Sequence, residues 1–134
     1  MVEAMYKSDS KLNFNIVVQK YLKWFRSGPH YVDTQTTRVL STVGSSIGDI
    51  PSSELAATCY KCAQLLNKQS ESNGGLKRLP GLVVYGLFLG ESWWEDIVEK
   101  EVTLTHSNQI VLNCAKVLTF VLREIVLSPE RIDA

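Results

Sequence analysis

The chain has 134 residues, and Lys plus Arg and Asp plus Glu each number 14, so the formal net charge is zero. This length fits one domain with a sizeable core, and 45% hydrophobic with 21% charged residues is the composition of a globular protein. A neutral chain lacks the basic surface that attracts nucleic acids and anionic lipids. We therefore expect one folded domain over residues 1–134, with no nucleic acid as partner.

Apolar residues recur at helical spacing along most of the chain, and no strand alternation persists. Gly28-Pro29 is a strong stop for the first helix, and Asp33 or Thr34 can cap the second. The predicted helices are 11–27, 33 or 34 to about 48, 52 or 53 to about 66, about 79–98, and 107–127, with a polar loop at 67–75 and a connector at 99–106.

The segment from Gly75 to Gly90 is the most apolar part of the sequence. Between Leu79 and Leu89 it has no charged or amide side chain, and a helix that is apolar on all sides belongs in a protein interior. The pattern therefore predicts an all-α bundle in which a central apolar helix pair, about 79–98 and 107–127, is wrapped by amphipathic helices. It leaves open whether the first of this pair breaks at Gly90.

Neither end of the chain carries a long hydrophobic segment. The N-terminus, MVEAMYKSDSKL, lacks the apolar run of a signal peptide, and we expect residues 1–10 to be flexible. The longest apolar run is about half of the roughly 20 residues that span a bilayer, and the C-terminal SPERIDA is polar. We therefore expect a polar tail at 128–134, no membrane anchor and a cytoplasmic location.

Three cysteines raise the question of redox or metal chemistry. Cys59 and Cys62 form a Cys-x-x-Cys pair, but a redox pair of this type opens a helix after a strand, whereas this one lies inside a helical pattern. A zinc site needs two more soft ligands, and only Cys114 and His106 are candidates. We interpret Cys59 and Cys62 as small buried hydrophobes and keep a small helical redox or metal protein as an alternative.

No set of residues in the sequence predicts catalysis. The two histidines, His30 and His106, have no carboxylate or nucleophile at a meaningful spacing, and the common phosphate-loop and metal-helix motifs are missing. Glu99 and Glu101 are typical of a charged surface edge. The sequence therefore predicts no enzyme, no catalytic residue, no cofactor and no metal.

Three segments resemble the B-cell-lymphoma-two (Bcl) family of apoptosis regulators. Residues 78–86, RLPGLVVYG, resemble the family's first homology motif, with Arg78 on the motif's Arg and Tyr85-Gly86 on its Phe-Gly, although residues 75–77 depart from its Asn-Trp-Gly. Residues 16–28 are similar to the family's N-terminal helix, and 40–44, LSTVG, to its Leu-x-x-x-Gly helix. The resemblance covers about residues 11–127, and the short, degenerate motifs look more viral than cellular.

The resemblance implies a viral inhibitor of apoptosis that sequesters the amphipathic death-ligand helix of pro-apoptotic Bcl-family proteins in a hydrophobic surface groove. It implies that Arg78 pairs with the acidic residue of that helix. It also implies host-cell cytoplasm as the location, with recruitment to mitochondria through partners. The implied ligand-binding residues are Arg78, Val39, Leu40, Val43, Ile47, Leu55, Cys59, Leu66, Leu79, Leu82 and Val83.

Two other expectations accompany this hypothesis. A membrane-active, pro-apoptotic-type protein of similar fold is the alternative within the same family. An apolar groove left open on a neutral protein is also a patch that tends to be covered. We therefore expect a weak or moderate homodimer whose contact lies on or beside the groove.

Overall fold

In this computed structural model, residues 12–87, 94–128 and 130 are described, and every regular element among them is helical. The all-α prediction is therefore confirmed for this part of the chain. None of the described helices is both long and apolar enough to cross a bilayer. The elements are α1 (Phe14–Arg26), α2 (Thr34–Ser45), α3 (Leu55–Asn67), α4 (Leu79–Gly86), α5 (Trp94–Thr103) and α6 (Gln109–Leu127), with 3-10 turns at Ser52–Glu54 and Gly74–Arg78.

Side chains at the helix ends explain several of these boundaries. Asp33 caps α2 by accepting a hydrogen bond from the Thr36 N–H at 2.9 Å, and Asn108 caps α6 in the same way. Gly28 follows α1 with a φ of 70°, a left-handed conformation that glycine adopts without strain. The predicted stop at Gly28 and the predicted cap at Asp33 are both confirmed.

The apolar core is divided into two clusters, each formed mainly by three consecutive helices. Helices α1, α2 and α3 surround one cluster, and α4, α5 and α6 surround the other, so the described chain consists of two three-helix halves. The first cluster contains Val17, Val18, Tyr21, Leu22, Val39, Leu40, Val43, Leu55, Ala56, Cys59, Ala63 and Leu104; the second contains Leu79, Leu82, Val98, Val102, Val111 and Ala115.

This division corrects the prediction of a central helix enclosed on all sides. Leu79 and Leu82 are buried, but Val84 of the same helix is 51% exposed. Helix α4 packs against α5, α6 and the preceding 3-10 turn, so its other side faces solvent. Three expectations lie outside the described residues: the open question of a break at Gly90, the expected flexibility of residues 1–10 and most of the polar tail at 128–134.

Helix α5 was not predicted over its full length. The predicted connector at 99–106 is wrong over its first five residues, because α5 continues to Thr103. Its buried face contains Val98, Glu101 and Val102. A carboxylate at a core position interrupts the apolar periodicity from which a helix is predicted.

Candidate functional site

Most residues of the predicted groove lie in the core. Helices α2 and α3 pack directly against each other, and this contact covers the faces that were expected to bind a ligand. The described residues therefore do not form an open groove along this set, and the ligand-binding role of these residues stays a prediction. Val39, Leu40, Val43, Leu55, Cys59, Leu79, Leu82 and Val83 are buried, Ile47 is half-buried, and Leu66 is 43% exposed.

Arg78 is held by contacts within the protein. Its Nε atom lies 2.8 Å from Glu101 Oε1, and its side chain is 15% exposed. Its Nη2 donates a hydrogen bond to the Glu101 carbonyl oxygen at 3.2 Å, and the guanidinium carbon lies 5.2 Å from the centre of the Tyr21 ring. An acidic ligand would therefore have to compete with Glu101 for this cation.

Glu101 is the buried anion at the junction of the two halves. Its side chain is fully buried, which corrects the expectation of a charged surface edge. The Tyr21 hydroxyl donates to the same Oε1 that Arg78 approaches. Burial lowers the pKa of Arg78, but Glu101, Tyr21 and Asp33 together raise it above its ordinary value. Arg78 therefore stays charged and neutralises Glu101.

A second buried polar group joins residues that are distant in sequence. His106 is fully buried; its Nδ1 lies 2.8 Å from Thr105 Oγ1, and its Nε2 lies 3.4 Å from Asp33 Oδ1. Burial raises the pKa of Asp33, but the interaction with His106 and the hydrogen bond from the Thr36 N–H lower it well below its ordinary value. The structure thus gives His106 the carboxylate partner that the sequence spacing did not indicate.

Two glycines allow the 3-10 turn to approach this polar group. A Cβ atom at Gly74 would lie 2.6 Å from both carboxylate oxygens of Asp33, and a Cβ atom at Gly75 would lie 3.0 Å from His106 Nδ1. These distances leave little or no room for a side chain. The pair Gly74-Gly75 therefore brings Lys77 and Arg78, which follow in the same turn, against α1 and α2.

Both polar groups border a pocket with a volume of about 380 Å³. Helix α1, the loop before α2, α2 itself and the 3-10 turn form its walls. We call it the Arg78 pocket, and of the predicted site residues it includes Arg78 and Leu40. Its lining residues are Lys20, Tyr21, Trp24, Tyr31, Val32, Asp33, Thr36, Leu40, Gly74, Lys77 and Arg78.

Positive charge and exposed aromatic rings characterise this pocket. Three cations, Lys20, Lys77 and Arg78, line it with a single carboxylate, Asp33. Because Glu101 neutralises Arg78 and His106 engages Asp33, the exposed Lys77 is the cation that a ligand can reach at the mouth of the pocket. The Lys77 ammonium lies 4.6 Å from the centre of the exposed Tyr31 ring. The arrangement suits a carboxylate with an apolar neighbour.

Little in the sequence indicated this pocket. The basic clusters on α1 and at Lys77-Arg78 are typical of solvated surface, and the aromatic residues Trp24 and Tyr31 lie far from the 3-10 turn in sequence. The one sequence feature that pointed to this pocket was the adjacent pair Lys77 and Arg78, because two cations directly precede an apolar helix.

The Cys-x-x-Cys pair lies in the interior of α3, not at its N-terminus. Burial raises the pKa of the Cys59 thiol to about 12, and it also raises the pKa of Cys62. Reactive cysteines have lowered pKa values, so these observations favour a packing role for both thiols. Among the described residues, no group of three or more His, Cys, Asp or Glu side chains is placed to hold a metal ion.

Comparison of the chain with protein-family models, with curated proteins and with solved structures gave no match. Function is therefore inferred from the residues of the Arg78 pocket and from the sequence resemblance.

Proposed function

We propose that this protein is an inhibitor of apoptosis that captures the amphipathic death-ligand helix of pro-apoptotic Bcl-family proteins. The observation that carries the proposal is the Arg78 pocket, which is cationic and aromatic and borders the segment that resembles the family's first homology motif. The pocket supports recognition of an acidic helix, and the resemblance supports the apoptotic identity of the partner. Host-cell cytoplasm, with recruitment to mitochondria through the partner, is the matching location.

The size of the pocket limits what enters it. A volume of about 380 Å³ is near the lower end of the roughly 300–1,000 Å³ of small-molecule pockets, so it holds one or two side chains and not a whole helix. We propose that the acidic residue of the ligand enters beside Lys77. The apolar face of the helix then lies on the exposed rings of Trp24 and Tyr31.

This proposal changes the role of Arg78. Its guanidinium adds positive potential at the base of the pocket while its direct partner remains Glu101. Lys77 is more exposed, at the rim, and is the cation that meets the ligand carboxylate. A charge-assisted hydrogen bond of this type contributes roughly 1.5–3 kcal/mol.

The test is a fluorescence titration with a panel of death-ligand peptides, each paired with a variant in which its acidic residue is Ala. Lys77→Glu should weaken binding of the acidic peptides by about tenfold or more, which corresponds to about 1.4 kcal/mol. Lys77→Glu should have little effect on binding of the Ala peptides, because the Ala substitution in the peptide and the Lys77 substitution in the protein remove the same contact. Lys61→Glu, an exposed lysine on α3, is the control and should bind normally.

Three outcomes would contradict the proposal. One is that no peptide binds the wild-type protein, and another is that Lys61→Glu weakens binding as much as Lys77→Glu. The third is that the protein makes liposomes leak without binding any peptide, which would support the membrane-active alternative.

A further inference from the structure

Helix α6 exposes an apolar stripe that no described residue covers. Of the thirteen exposed large apolar side chains among the described residues, seven lie on this helix. Four of these seven, together with the exposed Cys114, follow one line along the helix. This line, the α6 stripe, consists of Ile110, Cys114, Val117, Val121 and Ile125.

The spacing of the stripe is that of a helix-pairing seam. At 100° per residue, its members lie within about 80° of one another around the helix axis. The first four are separated by intervals of 4, 3 and 4 residues, which is the alternation of the two apolar positions in a coiled-coil heptad. The opposite face of α6 packs against α4 and α5, so the stripe points away from the rest of the described protein.

The absence of charge along the α6 stripe favours a second copy of the chain as the partner that covers it. A two-fold axis brings each surface patch against itself, so a charged stripe would repel its own copy. Between Ile110 and Val121 the stripe has no charge, because Lys116 is turned toward α5 and lies 3.0 Å from Glu99. The whole chain is also neutral, which leaves no net repulsion between copies.

The stripe is also nearly symmetric about its own centre. In an antiparallel pair centred between Val117 and residue 118, Ile110 lies opposite Ile125, and Cys114 lies opposite Val121. Four of the five stripe positions then meet an apolar or thiol stripe residue of the other copy, and Val117 lies next to the two-fold axis, beside Val117 of the other copy. No residue of the stripe excludes a parallel pair in register. A parallel pair, however, places the like ends of the two helix dipoles side by side, which is unfavourable.

We propose that α6 pairs antiparallel with α6 of a second copy through this stripe, forming a weak homodimer. A single helix of about 28 Å offers less than the roughly 800 Å² per partner of a standard interface. We therefore expect a dissociation constant in the range of about 1–100 µM. None of the Arg78 pocket residues lies on α6, so dimerisation and peptide binding should be independent of each other. This replaces the sequence-based expectation of a contact at the groove.

The first test uses light scattering to measure the average molar mass of the protein at protein concentrations of about 1–200 µM. The wild-type mass should rise from one copy toward two, and Val117→Glu should raise the dissociation constant by about tenfold or more. Val117 is 64% exposed, so this variant keeps its fold, which circular dichroism verifies. Leu65→Glu changes a more exposed apolar residue on α3 and should still dimerise. A monomer mass throughout, or equal dissociation by Leu65→Glu, would overturn the proposal.

The second test fixes the orientation by disulfide trapping. Under mild oxidation Val121→Cys should form a covalent dimer, because Cys114 of one copy meets position 121 of the other. Cys114→Ser/Val121→Cys should not cross-link in an antiparallel pair, and Leu65→Cys should not cross-link either. Efficient cross-linking of the Cys114→Ser/Val121→Cys protein would show a parallel pair and contradict the proposed orientation.

Discussion

Tyr21 and Glu101 are 80 positions apart in the chain, yet the Tyr21 hydroxyl donates a hydrogen bond to Glu101 Oε1 in the protein interior. Tyr21 belongs to the apolar cluster of α1, α2 and α3, whereas Glu101 lies on α5 of the other half. Arg78 approaches the same oxygen from the 3-10 turn. These three side chains therefore join the two halves of the fold, and two of them, Tyr21 and Arg78, also line the Arg78 pocket.

Removing one partner of this buried ion pair should destabilise the protein strongly. Arg78→Met leaves the Glu101 carboxylate buried without its cation, which costs about 3–5 kcal/mol. The double variant Arg78→Met/Glu101→Leu removes both charges and should recover most of that loss. The free energy of unfolding in urea measures both effects.

The control for this experiment is an exposed ion pair on the same helix. Lys100 and Asp96 are 2.6 Å apart and well exposed, so Lys100→Met should cost less than about 1 kcal/mol. If Arg78→Met costs no more than Lys100→Met, the buried pair does not stabilise the fold as we infer. Arg78→Glu would place two carboxylates together and is expected to be less stable than Arg78→Met.

Asp33 should make the stability depend on pH in the acid range. Its folded-state pKa lies below the ordinary value, so between the two values the unfolded chain binds more protons than the folded protein. The stabilisation from Asp33 is then fully present above about pH 4 and is lost as the pH falls through the folded-state pKa. Asp33→Asn should cost roughly 1–2 kcal/mol at neutral pH, and the difference from the wild type should shrink toward pH 2.

Urea titrations at several pH values measure this dependence. Asp49→Asn, at an exposed position after α2, is the control and should follow the wild-type curve. A difference between Asp33→Asn and the wild type that stays constant from neutral pH to about pH 2 would contradict the role of the charged carboxylate.

Gly74 is required where the 3-10 turn contacts the α2 cap. Its substitution by Ala would place a Cβ atom 2.6 Å from both oxygens of the Asp33 carboxylate, and the cap or the turn would have to move. We expect Gly74→Ala to destabilise by about 1–3 kcal/mol. Gly48→Ala meets no atom within 4 Å and should be neutral or slightly stabilising. Equal thermal midpoints for the two variants would contradict this packing.

The three cysteines should react with a thiol reagent at three different rates. Cys114 is exposed, Cys62 is intermediate and Cys59 is buried, and burial raises the pKa of Cys59 to about 12. At pH 8 in dilute solution we expect one fast thiol, one slow thiol and one that reacts only after unfolding. Mass spectrometry identifies each labelled site. Fast labelling of both Cys59 and Cys62, or a disulfide between them, would support the redox alternative instead.

The sequence predicted the helices that have uninterrupted apolar periodicity. Helices α1, α2, α3 and α6 lie within a few residues of their predicted ranges, because caps such as Asp33 and stops such as Gly28 act locally. The C-terminal half of α5, from residue 99 on, was not predicted because Glu101 occupies a core position. Val98 and Val102 flank it at helical spacing, so a helix with one buried acid was a detectable signal.

The polar contacts of the site could not be predicted in this way. Asp33 and His106 meet only after the two halves pack together, and no periodicity relates them. The burial of the predicted groove residues could not be predicted for the same reason, since Val39, Leu40 and Val43 form an apolar stripe that a neighbouring helix covers as well as a ligand would. A single sequence shows which face of a helix is apolar, but it does not show which partner covers that face.

Chemical-shift mapping tests most directly the proposal that the Arg78 pocket binds an acidic helix. Amide spectra of labelled protein are recorded during titration with a death-ligand peptide at a protein concentration that keeps the protein monomeric. We predict that the largest shifts fall on Lys20, Tyr31, Thr36, Gly74 and Lys77, which line the pocket on three different elements. Shifts confined to the α6 stripe, or no shifts at saturating peptide, would contradict the account.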